Sequence, residues 1–314
     1  MAGVDDDPRG DGRGRNPMTS GPRSPELTIL YRGPLASCNY DCPYCPFAKR
    51  RDSPATLRAD RAALARFVDW VARNPHGHRQ LSILFTPWGE ALTRSWYRDA
   101  LVTLSHLPHV GTVAVQTNLS CRTGWLAAAD PTRLALWCTY HPGETTRERF
   151  VARTAELDAI GIRHSVGIVG LADNLDAARD LRAALPQHTY LWVNAEEGRS
   201  YDPAEEAVWT ALDPLFAYSA HPHPSVGLPC RTGESVISVD GDGLVRRCHF
   251  VAAPLGNLYD GTYLPALRPR PCPNTVCDCH IGYVHLETLP LYEVFAGGIV
   301  ERIPTDCRDP AVVC

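Results

Sequence analysis

Six short apolar runs alternate with amphipathic helical stretches between residues 26 and 220. Strands that alternate with helices in this way predict a parallel sheet covered by helices. Six units are too few to close an eight-stranded barrel, so we expect an α/β fold with a partial (β/α)6 TIM-type barrel. The predicted strands are 27–31, 81–85, 112–116, 134–138, 164–169 and 189–193, and the predicted helices are about 55–73, 94–107, 146–160, 174–185 and 204–216.

The two ends of the chain differ from this region. Residues 1–25 carry almost no large apolar side chains and cannot offset their ordering entropy, so we predict a disordered tail. We assign residues 26–220 to the barrel and 221–314 to a small C-terminal domain. Within that domain, an Asp-Gly turn signal between two β-rich runs predicts a β-hairpin over 235–248.

The composition of the chain argues against some classes of function and favours others. A net charge of −4 without a basic stripe gives no electrostatic footprint for nucleic acid. No run of about 18 apolar residues and no signal peptide are found, so we expect a cytoplasmic protein without a membrane partner. Twelve cysteines in such a protein point to metal or redox chemistry rather than to disulfides.

Three cysteines follow the first predicted strand in the spacing C-x3-C-x2-C: Cys38, Cys42 and Cys45. Three thiolates this close can hold three irons of a [4Fe–4S] cube and leave the fourth iron open to a small chelating molecule. The aromatic Tyr44 precedes the third cysteine, where an adenine ring could lie against it. The alternative is a zinc knuckle, although zinc sites usually supply four ligands in two C-x2-C pairs.

Polar and glycine residues also follow the other predicted strands. Ligand chemistry gathers at the carboxyl ends of parallel strands, so these residues are expected at the same edge of the sheet as the cysteines. They are Gly89 and Glu90 after the second strand, Asn118 after the third, and Thr139, Tyr140 and His141 after the fourth.

The cysteine motif and its place after the first strand resemble the radical SAM enzymes. The resemblance implies that S-adenosylmethionine chelates the open iron and is split to a 5′-deoxyadenosyl radical. In that family, a Gly-Gly-Glu-Pro turn after the second strand binds the methionine amine. Gly89 and Glu90 match it, whereas Trp88 replaces the first glycine and Ala91 the proline. For Glu90, an acid at a helix N-terminus is the alternative interpretation.

The same resemblance implies further contacts to the cofactor. Gly167 and Ile168 correspond to a glycine-flanked strand that lies against the adenine, although a single Gly-x-x-Gly is a weak signal. Thr139 and Ser165 are candidates for the ribose or the carboxylate, with ordinary barrel-lining polar residues as the alternative. The full set of candidate cofactor residues is Tyr44, Gly89, Glu90, Asn118, Thr139, Ser165, Gly167 and Ile168.

A second set of cysteines surrounds the predicted hairpin. Cys230 and Cys248 have the spacing C-x12-G-x4-C, which fits the family's auxiliary-cluster pattern and resembles the shorter domain known as twitch. Downstream, Cys272, Cys277 and Cys279 compete for the two remaining positions of a second [4Fe–4S] cluster. Four cysteine thiolates also form a common structural zinc site, so zinc stays an alternative. The residues in and around both groups of cysteines resemble those of a bacterial radical SAM subfamily of unassigned activity.

The resemblance implies an enzyme of oxidoreductase type that removes a hydrogen atom from its substrate. A flavodoxin or ferredoxin would supply the electron, and the second cluster would assist an oxidation or rearrangement. Tyr140 and His141 are candidate proton acceptors at the barrel mouth. A small-molecule substrate is expected because only a short tail precedes the first strand. A peptide-modifying maturase with a short-peptide substrate is the alternative, and a non-catalytic electron carrier or sensor is less favoured.

Overall fold

A computed structural model describes residues 26–47 and 50–308 of the chain. The predicted disordered tail, residues 1–25, lies outside the described residues. Within the described part, no helix is both long and apolar enough to cross a membrane.

Six parallel strands pair in chain order and form the main part of one sheet. They are β1 Leu27–Arg32, β2 Leu81–Phe85, β3 Val110–Thr117, β4 Leu134–Thr139, β5 Arg163–Val169 and β6 Leu191–Asn194. The helices are α1 Pro54–Arg73, α2 Ser95–Ser105, α3 Arg147–Ala159, α4 Leu175–Ala184, α5 Pro203–Thr210, α6 Phe216–Ala220, α7 His280–Tyr283 and α8 Leu291–Phe295. The predicted α/β partial barrel is confirmed.

Alternation along the strands gives the sheet two different faces. Every second residue packs outward against α1 to α4, as Ile29 and Leu136 do. The residues between them, such as Leu30 and Trp137, face inward and pack on the C-terminal segment. Both faces are buried, which explains why the strands read as continuous apolar runs.

The predicted helix 204–216 is wrong in its length, because the structure has two helices there, α5 and α6. The helix stops before Asp213-Pro214, since a residue before proline avoids helical backbone angles. The Asp213 carboxylate also stabilises this break between the helices, because it accepts hydrogen bonds from the Val193 and Leu215 amides and from the Tyr190 hydroxyl.

The C-terminal segment adds three strands to the same sheet. They are part of a run of short strands: β7 His223–Pro224, β8 Pro229–Cys230, β9 Val236–Asp240, β10 Leu244–Arg246, β11 Pro254–Asn257, β12 Arg270–Pro271 and β13 Val276–Cys277. Strand β9 pairs in parallel with β1, and β10 and β11 follow in antiparallel order. The expected hairpin is therefore present, and it extends the barrel sheet at β1. Two small sheets, β8–β12 and β7–β13, bring the remaining cysteine segments together.

The end of the described chain fills the inside of the barrel. Trp137 Nε1 donates to the carbonyl oxygen of Val300 at 2.8 Å. The buried Glu301 carboxylate pairs with Arg163 at 2.8 Å. Arg302 lies 4.0 Å from the ring centre of Trp192. These contacts close part of the lumen and leave the cysteine edge as the accessible end.

Candidate functional site

The three N-terminal cysteines line one cavity at the carboxyl ends of β1 to β4. The other residues that line it are Tyr40, Pro87, Trp88, Gly89, Glu90, Gln116, Thr117, Asn118 and His141. The structure thus brings together residues from four different loops, as expected for the active edge of a parallel sheet.

Two aspartates that the sequence did not single out hold the cysteine loop in place. Asp52 accepts hydrogen bonds from the Ala36 amide at 2.9 Å and the Ser37 amide at 2.8 Å. The buried Asp60 accepts from the Leu35 amide at 3.1 Å, and also from the Trp96 indole and the Tyr97 hydroxyl. No local spacing signals such roles, because the donors lie on segments distant in sequence.

Gly89 allows the loop after β2 to lie directly on the cysteine loop. A Cβ at this position would overlap the backbone carbonyl of Ser37, so a side chain cannot fit without moving the backbone. The adjacent Glu90 amide donates to that same Ser37 carbonyl at 3.1 Å. The matching glycine of the motif therefore has a packing role in this chain.

The Glu90 carboxylate is buried and joins three segments of the site. It accepts hydrogen bonds from the Leu92 amide at 3.0 Å, the Thr117 hydroxyl at 2.8 Å and the Asn118 amide at 2.6 Å. Burial raises the pKa of this carboxyl. The hydrogen bond from the Leu92 amide makes Glu90 the N-cap of the short helix Ala91–Thr93. The position of an acid at a helix N-terminus, which is the alternative interpretation of Glu90, is therefore present.

The thiols of the first set lie in a weakly polar environment. Burial raises the pKa of Cys42 to about 11, with a smaller contribution from Glu144, and it also raises the pKa of Cys38. Asn118 Nδ2 approaches Cys38 Sγ at 3.7 Å, and the Tyr40 amide donates to the same sulfur at 3.4 Å. A partly buried thiol with nearby amide donors, such as that of Cys38, suits a thiolate whose charge is compensated by iron.

Tyr44 and His141 form a pair at the rim of this cavity. The Tyr44 hydroxyl lies 2.9 Å from His141 Nδ1, and the two rings are nearly parallel at a centroid distance of 6.0 Å. Burial lowers the pKa of His141 to about 4, so the ring is neutral near pH 7. A neutral imidazole in contact with a cavity has the protonation state that a proton acceptor needs.

Tyr140, one of the two candidate proton acceptors, lies away from the cavity and is not among the residues that line it. Side chains alternate along β4, and the side chain of Tyr140 points to the helix-covered face. Its ring packs on Phe150 of α3 at a centroid distance of 5.2 Å.

The other predicted cofactor contacts, on β5 and at the end of β4, also differ in which face of the sheet they occupy. The side chain of Ile168 packs toward the helices and not toward the barrel interior. Gly167 faces inward, but a Cβ there would overlap the ring of Trp192, so that indole occupies the adjacent space. Ser165 is buried and accepts from Trp192 Nε1 at 3.1 Å. Thr139 lies half-buried at the carboxyl end of β4.

Four cysteines of the second set lie close together. Burial raises the pKa of Cys277, and the neighbouring thiols add to this in the order Cys248, Cys272, Cys230 and Cys279. Cys230 and Cys272 likewise raise the pKa of Cys248, which burial chiefly brings to about 11. A Cβ on Gly282 would lie only 2.8 Å from Cys277 Sγ, so glycine lets α7 pack against this thiol.

Cys279 also affects the pKa of Cys277, but the groups that act most strongly on Cys279 itself are not cysteines. After burial and the Ile281 amide, the groups that affect its pKa are Arg32, Asp278 and Arg302. Its thiol therefore lies near Arg32 and Arg302, whereas Cys277 lies near all the other cysteines of the set.

Neither set of thiols converges as ligands of a single ion do. In residues 26–47 and 50–308, no three His, Cys, Asp or Glu side chains are arranged to hold one metal ion. The ligands of a four-iron cube bind different corners and stand farther apart than the ligands of one ion.

Solved structures with the same fold include radical SAM enzymes. Native anSMEcpe with bound AdoMet matches with a TM-score of 0.50 and 13% identity, over 77% of this chain and 83% of that chain. Streptococcus suis SuiB bound to S-adenosylmethionine matches with a TM-score of 0.50 and 14% identity, over 76% of this chain and 66% of SuiB. No protein-family model matches the sequence, and no curated protein does. The chain shares the fold of these structures, a partial barrel of parallel strands followed by a C-terminal segment of short strands.

Proposed function

We propose that this protein is a radical SAM enzyme that abstracts hydrogen from a small-molecule substrate. One observation supports this more than any other. Cys38, Cys42 and Cys45 line a single cavity with residues of the loops after β2 and β3, at the ligand-binding edge of a sheet of this fold.

The first cluster would be held by these three thiolates. When bound, a [4Fe–4S] cluster supplies the electron that splits S-adenosylmethionine to the radical that removes the substrate hydrogen. Asn118 is placed to orient the Cys38 sulfur. Gly89 and Glu90 would form the edge of the cofactor site, with Glu90 acting through the backbone that it fixes. Tyr44 and Thr139 remain proposed contacts, and His141 the proposed proton acceptor.

A second cluster would be held by Cys230, Cys248, Cys272 and Cys277. The proposal follows from the mutual proximity of these four thiols. Cys279 is then the spare cysteine. In this position, the second cluster would assist an oxidation or rearrangement of the substrate by accepting an electron, and a flavodoxin or ferredoxin would reduce the first cluster.

Anaerobic reconstitution tests this function. We expect about eight irons per chain by cluster stoichiometry, and formation of 5′-deoxyadenosine from S-adenosylmethionine after reduction. Replacing Cys38, Cys42 and Cys45 together with alanine should leave about four irons by the same stoichiometry and abolish that product. Continued formation of 5′-deoxyadenosine by the triple variant would contradict the assignment.

A further inference from the structure

A second cavity lies beside the cysteine cavity, and Trp88 lines both. It encloses about 570 Å³, a size typical of small-molecule sites. The loop after β1 and the β9–β10 hairpin form its walls. Its charged and aromatic side chains are Arg32, Trp88, Asp240, Asp242, Arg246, His249 and Phe250.

Arg32 is held rigidly at the border of the two cavities. Its guanidinium carbon lies 3.8 Å from the ring centre of Trp88, so the plane of the group is supported on one face. Its Nε donates to the Thr86 carbonyl at 2.7 Å. Among the described residues, neither Nη atom forms a hydrogen bond, which leaves the fork of the guanidinium available to a ligand.

Arg32 also carries a charge that the described residues do not neutralise. Asp240 pairs with Arg246 at 3.1 Å, and Asp242 pairs with Arg66 at 3.8 Å. No carboxylate of the described chain affects Arg32, whose pKa burial lowers to about 10, so the group stays cationic near pH 7.

The cavity walls also offer apolar surface. Trp88 is 39% exposed and Phe250 is 41% exposed, which is unusual for large apolar residues. The ring of Phe47 lies 4.9 Å from that of Trp88 and extends the same surface. Exposed aromatic rings beside a fixed cation favour a ligand with an apolar body and an anionic end.

We propose that this cavity binds a small apolar carboxylate and that Arg32 holds its carboxylate group. That this ligand is the substrate rests on the proposed function. Arg32 neighbours the Cys279 thiol on one side and stacks on Trp88 of the first cavity on the other. The ligand would therefore lie between the two thiol sets. Asp240 and Asp242 line the same cavity, so a dianionic phosphate is disfavoured by like-charge repulsion.

Equilibrium binding to the reconstituted, unreduced protein tests the site. The probes are phenylacetate, its neutral analogue phenylacetamide, and phenyl phosphate. We expect phenylacetate to bind at least tenfold more tightly than either of the other two. The Arg32→Gln variant should lose at least tenfold in phenylacetate affinity and bind the amide as before. Arg32→Lys, which keeps the charge, should retain most of the affinity, and Arg73→Gln on the exposed face of α1 serves as the control.

Three outcomes would overturn the proposal. One is phenylacetate binding that is equal in the wild type and in Arg32→Gln. Another is tighter binding of phenyl phosphate than of phenylacetate. The third is competition between phenylacetate and S-adenosylmethionine, which would place the anion in the cysteine cavity. Failure of the protein to bind S-adenosylmethionine, with phenylacetate binding intact, would instead contradict only the proposed function.

Discussion

At the scale of single residues, the site depends on groups whose chemistry is set by burial. Glu90 is an ordinary acidic residue in sequence, yet its carboxylate joins the loop after β2 to the end of β3 through hydrogen bonds from Thr117 and Asn118. Cys277 and Cys279 are separated by one residue, but their thiols face different surroundings. Spacing alone left these two cysteines equivalent.

The two cysteines give a direct test of the second cluster. Cys248→Ala should reduce the iron content from about eight to about four per chain, because it removes a member of the four-thiol group. Cys279→Ala should leave about eight, since the groups that act most strongly on this thiol are Arg32, Asp278 and Arg302 and not the other cysteines. Iron analysis with Mössbauer spectra measures both. Equal iron loss in the two variants, or zinc in place of the second cluster, would show that the four ligands are assigned wrongly.

At the scale of elements, helix α1 does more than cover the sheet. Ser53 caps its start by accepting from the Thr56 amide, and Asn74 ends it in the left-handed conformation with φ 42°. Between these ends, Asp60 reaches the backbone that leads into the cysteine loop. The helix thus positions a loop that contributes no regular structure of its own.

Asp60→Ala should destabilise the protein by about 3 kcal/mol, because it leaves the buried donors of Leu35, Trp96 and Tyr97 without their acceptor. Urea unfolding measures the change. Asp69→Ala on the same helix is the matched control, since Asp69 forms only an exposed pair with Arg73 and should cost less than about 0.5 kcal/mol. Similar losses in both variants would mean that Asp60 does not anchor the loop.

The elements themselves were largely predictable from sequence. The predicted strands 27–31 and 81–85 nearly coincide with β1 and β2, because strands buried on both faces leave continuous apolar runs. The roles of Gly167 and Ser165 were not predictable. Both depend on Trp192, which packs against them from the neighbouring strand. The use of residues 300–302 to fill the barrel likewise leaves no local pattern.

At the scale of the whole molecule, stability is expected to depend on pH through buried histidines. His285 is almost fully buried, with its Nδ1 2.8 Å from the Tyr292 hydroxyl. Burial, followed by Arg231, lowers the pKa of His285 to about 3. The unfolded chain takes up a proton near pH 6.5, whereas the folded protein does not until about pH 3, so stability falls as the pH drops through this window.

His285→Asn should remove this contribution while keeping a partner for Tyr292. Its stability relative to the wild type should therefore rise as the pH falls from 6.5 toward 4, on the order of 1 kcal/mol per pH unit. Urea unfolding of both proteins at several pH values gives the difference. A difference that stays constant from pH 7.5 to pH 4.5 would show that His285 takes up protons equally in both states.

The pairing of β9 with β1 also has a consequence for the order in which the molecule is made. Of the strands in the described residues, β1 is synthesised first, but its partner β9 follows about 200 residues later. At the usual synthesis rates of about 5 to 20 residues per second, that edge of β1 stays open for about 10 to 40 s. An open edge next to apolar strands is a template for wrong pairing, so the nascent chain needs protection during this interval. The earliest of the described strands is thus among the last to gain both of its neighbours.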